Sequence, residues 1–195
     1  MINILDQYLH PHRHYHTIEH IAKMVRNSIV YDLDEVDRMK LKYGIYYHDF
    51  IYNPMSDTNE ADSVTAFMDD LMNNRINLEG IMKPAELGAS VMLMIQDTYD
   101  HIPRTPLSKL LIDLDLWELA DPEQYIKNSK LIRLEYPLVH DVDFYKGRVN
   151  WITEMLNKDQ IYYTNYCMME DFEKKARANL SNELMELTNP MWYLP

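Results

Sequence analysis

Apolar residues recur at intervals of three and four along most of this chain, the spacing that lays an apolar stripe on one face of an α-helix. After Thr17, a suitable N-cap, the stripe reads Ile21, Met24, Val25 and Ile29. The next reads Val36, Met39, Tyr43, Tyr46, Tyr47 and Phe50, and Asn53-Pro54 breaks it. Asp57 with Glu60 forms a capping-box signature ahead of Ala61, Val64, Phe67, Met68 and Leu71. Pro84 fits a first helical turn before Leu87, Val91, Met94 and Ile95. Thr105-Pro106 starts a segment apolar nearly all round, from Leu107 through Leu110, Leu111 and Leu114 to Trp117, which predicts a central, buried helix. Asp121-Pro122 opens a helix through Tyr125, Ser129, Ile132 and Tyr136, ended by Pro137. Asp141 begins another through Tyr145, Arg148, Ile152 and Leu156. The last carries Phe172, Ala176, Leu180, Leu184 and Leu187 before Asn189-Pro190. No segment reads as a strand and no stretch repeats. The pattern predicts an all-α protein, a bundle of about eight helices.

Composition narrows the function classes. With 47% hydrophobic residues and only 4 Gly, the chain has the balance of an ordinary helical globular protein, and 195 residues suit a single domain, 1–195. Its formal net charge of −12 repels polyanions, which argues against extended nucleic-acid binding. A small anionic substrate remains compatible with that charge if the site supplies a metal and arginines. The one cysteine, Cys167, excludes an internal disulfide and is expected to pack as an inert thiol. No secretory signal and no membrane span of about 18 apolar residues is read, so a soluble, cytoplasmic protein is expected.

The chemistry gathers in three places. His16 and His20, four apart, share a helix face in the stretch His12-Arg13-His14-Tyr15-His16-Thr17-Ile18-Glu19-His20. His48 and Asp49 are adjacent at a helix end, where both can bend toward one ion. Asp113 and Asp115 stand two apart on the apolar helix, so only one of them can join that ion. Imidazoles with carboxylates suit a divalent metal: Mn, Fe, Co, Ni, Zn or Mg. His101 is a candidate ligand for a second ion or a phosphate contact, or simply a loop histidine before Pro103. Arg13, Arg133, Arg148 and Arg177 are candidate substrate-binding groups, because a guanidinium fork fits phosphate, although it fits structural carboxylates equally well. Asn59-Glu60 could hold water at a metal, but the capping box already accounts for Glu60.

The order His, then His-Asp, then Asp resembles the HD superfamily of metal-dependent phosphohydrolases. The flanking phrases narrow the likeness to a bacterial group of predicted HD phosphohydrolases. They are Arg13-His14-Tyr15-His16-Thr17 with His20-Ile21, Tyr47-His48-Asp49 with Ile51-Tyr52, Asn59-Glu60, and Asp113-Leu114-Asp115-Leu116. Later come Ile132-Arg133 with Glu135-Tyr136, and Ala176-Arg177 with Asn179-Leu180. The resemblance covers roughly residues 10–187. It implies an HD-type bundle holding one or two divalent ions through His20, His48, Asp49 and Asp115; Asp113 is read as a supporting or capping group or, with His101, as a candidate contact to a second ion or phosphate. It further implies that His16 donates a proton to the leaving oxygen and that Asp49 orients the attacking water. The implied function is hydrolysis of a small phosphate ester, a nucleotide being the expected case. Two alternatives accompany it: an HD-type di-iron oxygenase, and a catalytically silent HD module that binds a nucleotide.

Overall fold

The computed structural model describes residues 4–78 and 80–189, and Pro190 of the final helix-stop signal lies outside them. Every regular element among the described residues is helical, with eight helices of ten residues or more, as the apolar spacing predicts. The chain divides into two compact units, one ending at Asp115 and the other beginning at Leu116. No helix of the described residues is long and apolar enough to cross a membrane.

The first unit contains α1 (Ile4–Gln7), α2 (Ile18–Asn27), α3 (Glu35–Tyr47), α4 (Asn59–Met72), α5 (Pro84–Thr98) and α6 (Pro106–Asp115). Its core is a row of fully buried side chains: Ile21 and Met24 from α2, Leu41 and Ile45 from α3, Phe67 from α4, Leu87, Val91, Met94 and Ile95 from α5, and Leu111 and Ile112 from α6. Each such side chain contributes roughly 1.5–3 kcal/mol by leaving water. The helix α5 packs against α3, α4 and α6, while α2 lies on α3 and α6. Gly44 permits the close approach of α3 to α5, because a Cβ there would stand 3.0 Å from Met94 Cε. The terminal signals work where expected at Thr17, whose hydroxyl accepts from the Glu19 amide, and at Pro84 and Pro106, which occupy first-turn positions.

Two sequence expectations in this unit are corrected. The Asp57/Glu60 capping box does not form, since Thr58 is the N-cap and its hydroxyl donates to Asp62 Oδ2 at 2.8 Å. The start of α4 is set by the loop before it, where Asn59 Oδ1 accepts from the Asn53 amide at 2.9 Å and Asn59 Nδ2 donates to the Asn53 carbonyl at 3.0 Å. The apolar helix ends at Asp115 rather than continuing to Trp117, which instead opens a short 3₁₀ turn, Trp117–Ala120. That places Asp115 in the last turn of α6.

The second unit holds that 3₁₀ turn, α7 (Pro122–Leu134), α8 (Asp141–Asn157), α9 (Asn165–Met169) and α10 (Phe172–Thr188). The helix α10 is its spine, packed on the 3₁₀ turn and on α7, α8 and α9. Its core includes Ile152, Cys167, Ala176 and Leu180, all fully buried. Asp121 caps α7 by accepting from the amides of Glu123 and Gln124.

Candidate metal centre

Helix ends deliver the site. His20 lies in the first turn of α2, fixed there by the Thr17 cap three residues earlier. His48 and Asp49 follow the last turn of α3, and Asp115 closes α6. One ligand atom from each of these four residues lies within 4.8 Å of all the others. Ligand bonds of about 2.0–2.2 Å put two donors on one ion at most roughly 4.4 Å apart, so the observed spread is close to that of a loaded site. The four residues could hold a metal ion.

The donor atoms are also prepared for one. His48 Nδ1–H donates to the Ile45 carbonyl at 2.9 Å, which fixes the ring orientation and turns Nε2 toward the site. That Nε2 is buried without an aligned hydrogen bond, although Asp49 Oδ2 lies 3.1 Å away and Asp115 Oδ1 3.6 Å. His20 Nε2 stands 3.1 Å from Asp115 Oδ1. Burial opposes charge on His48, but the carboxylates of Asp49 and Asp115 outweigh it and raise its pKa. Burial likewise opposes charge on Asp49, yet His48 and His16 hold its pKa below the usual range. For Asp115 burial is overcome by hydrogen bonding from His101, His20 and His48, and its pKa is lowered. Two carboxylates drawing imidazoles around them form a field that a divalent cation satisfies equally well.

Of the two acids on α6, Asp115 joins the cluster, whereas Asp113 is fully buried and outside it. His16 is also outside the four. It lies partly exposed at the edge, Nε2 4.0 Å from Asp49 Oδ2, with its ring 4.2 Å from that of Tyr52. His101 comes in from the loop after α5, its Nε2 3.8 Å from Asp115 Oδ2, so the two oxygens of Asp115 face different histidines. Its backbone is left-handed, φ 54°. The buried Asp97 fastens this loop by accepting from the Arg104 amide at 2.9 Å and from the Arg104 guanidinium.

Glu60 is the residue that sequence reasoning assigned elsewhere. It does not cap α4; burial raises its pKa, and its carboxyl senses Asp49, His101 and His48. The adjoining Asn59-Glu60 phrase carried that signal, but the helix-capping explanation overshadowed it. Tyr52 was likewise unremarked as a platform for His16.

The arginines are spent on the protein itself. Arg13 is buried and donates to the carbonyls of His16, Asp49 and Phe50. Arg133 grips Asp141 and the carbonyls of Tyr136 and Val139. Arg148 makes a bidentate pair with Glu183 at 3.0 and 2.9 Å. Arg177 donates to Glu173 and to the carbonyls of Leu156 and Lys158. The geometry therefore lends no support to phosphate contacts by these four side chains. No family model, curated protein or solved structure matches the chain.

Proposed function

We propose that the protein is a metal-dependent phosphohydrolase of the HD type, cleaving a small phosphate ester such as a nucleotide. The observation that carries the reading is the group of buried His20 and His48 with half-buried Asp49 and Asp115, and a separate histidine, His16, set 4.0 Å from the Asp49 carboxylate. The four residues of that group would hold the ion. When bound, a divalent ion supplies Lewis-acid activation of water and of a phosphoryl oxygen. Asp49 Oδ2 orients the attacking water. His16 Nε2, at the open edge, delivers a proton to the departing oxygen, work for which a positioned imidazole is commonly used. With the arginines engaged elsewhere, His101 would balance charge on the substrate.

The test is elemental analysis of the purified protein, then a nucleotide panel assayed with the metal found. The expected result is a transition metal that both His48→Ala and Asp49→Ala remove, with phosphate released from at least one nucleotide. Unchanged metal content in both variants, with native circular dichroism, would sink the assignment. A second reading, a di-iron oxygenase, draws on the approach of His101 to the second oxygen of Asp115. A coloured preparation with two irons per chain would favour it. Tight nucleotide binding without turnover would instead favour a silent binding module.

A further inference from the structure

The loop preceding α2 and the segment following α3 each carry a group that the proposed chemistry needs, His16 on the first and Asp49 on the second. His12 Nε2 donates to the Tyr52 carbonyl at 3.2 Å, and Arg13 joins the two segments more closely to the site. Arg13 Nη1 donates to the His16 carbonyl at 3.0 Å and to the Asp49 carbonyl at 2.9 Å, and Nη2 donates to the Phe50 carbonyl at 2.9 Å. Its guanidinium is also enclosed by aromatic rings, 4.8 Å from the Tyr8 centroid and 5.3 Å from that of Tyr52. Tyr8 is itself anchored, its hydroxyl donating to the Tyr46 carbonyl at 2.9 Å. Tyr52 meanwhile packs at a tilt against the His16 ring, centroids 4.2 Å apart.

The Asp49 and Phe50 carbonyls lie just past the end of α3 at Tyr47, and a cation placed there also meets the negative end of the helix dipole. A planar fork of several N–H groups holds three carbonyls on two separate segments in a fixed mutual geometry; a lysine ammonium has three donors on a flexible stem and fixes no such geometry. We propose that Arg13 is a positioning residue of the metal centre: it holds the Asp49 backbone at the angle that turns its carboxylate toward His48, and ties His16 to the same frame. This rests on the metal-centre reading above. It removes Arg13 from the substrate-binding groups and makes it the link between two parts of the site.

Arg133 provides a matched control. It too spans two carbonyls, Tyr136 and Val139, and lies 4.8 Å from an aromatic ring, that of Phe144, but neither segment carries a ligand. Co²⁺ would be titrated by calorimetry into the metal-free parent, Arg13→Lys, Arg13→Ala and Arg133→Lys, and the thermal midpoint of each recorded in EDTA. Groups that orient ligands typically alter metal affinity about 10–100-fold, so that loss is expected for Arg13→Lys. Arg133→Lys should lower the midpoint and leave Co²⁺ affinity within about twofold, well short of that range. If Arg13→Ala does not fold, Arg13→Lys decides. Equal Co²⁺ affinity in Arg13→Lys and the parent overturns the proposal, as does failure of Arg13→Lys itself to fold, which would make Arg13 a support for the whole unit. A parent that binds no Co²⁺ overturns the metal reading together with this one, whereas a metal-binding parent with an unaffected Arg13→Lys overturns this one alone.

Discussion

His16 and His20 are four apart in sequence, but α2 begins only at Ile18, so they do not share a helix face and the structure gives them different surroundings. His20 is buried against Asp115, while His16 sits at the edge with Tyr52. Loss of His20 should therefore cost metal, and loss of His16 should cost only proton delivery. We expect His20→Ala to be metal-free and inactive. His16→Ala should keep its metal and turn over about 10²–10⁴-fold more slowly, the usual worth of a positioned acid. Its deficit should shrink on a nitrophenyl phosphate ester, whose oxygen departs without a proton. A metal-free His16→Ala, or an equal deficit on both esters, would show that His16 binds or positions rather than protonates.

At the scale of elements, what was legible in the sequence is what periodicity and termini encode. Eight helices, the Thr17, Pro84, Pro106 and Asp121 starts, and the burial of α6 could all be read from spacing. The helices α1 and α9 could not, because four or five residues leave no period to detect. Nor could the start of α4, where Asp57 with Glu60 reads as a capping box but the Asn53–Asn59 pairing leaves Thr58 as the cap. The cluster of His20, His48, Asp49 and Asp115 was legible from the order His, then His-Asp, then Asp, although spacing alone left Asp113 and Asp115 level. The arginines were not, since a guanidinium announces only that it needs acceptors, and tertiary structure supplies them. His101 depended on a backbone conformation that sequence does not reveal. The left-handed region costs an ordinary residue roughly 1–2 kcal/mol, Asn tolerates it best among non-glycines, and β-branched residues fare worst. His101→Asn and His101→Val both delete the imidazole, so their difference isolates the backbone. Chemical denaturation in EDTA should place the Val variant about 1–2 kcal/mol below the Asn variant. Equal stabilities would mean that the loop does not require this conformation.

For the molecule as a whole, every residue of the cluster precedes Leu116, the residue at which the second unit begins. A ligand that binds only the folded state adds RT ln(1 + [L]/Kd) to stability, about 2.7 kcal/mol at a free concentration one hundred times Kd. That increment belongs to the unit that supplies the ligands. Amide hydrogen exchange with and without Co²⁺ should consequently slow from α2 through α6 and stay unchanged from α7 to α10. Equal slowing in both units, or none, would refute the partition. The consequence reaches to the lifetime of the chain under proteolysis: as free metal falls, nicking should concentrate before residue 116, so that supply of the ion sets how long the first half of the polypeptide survives.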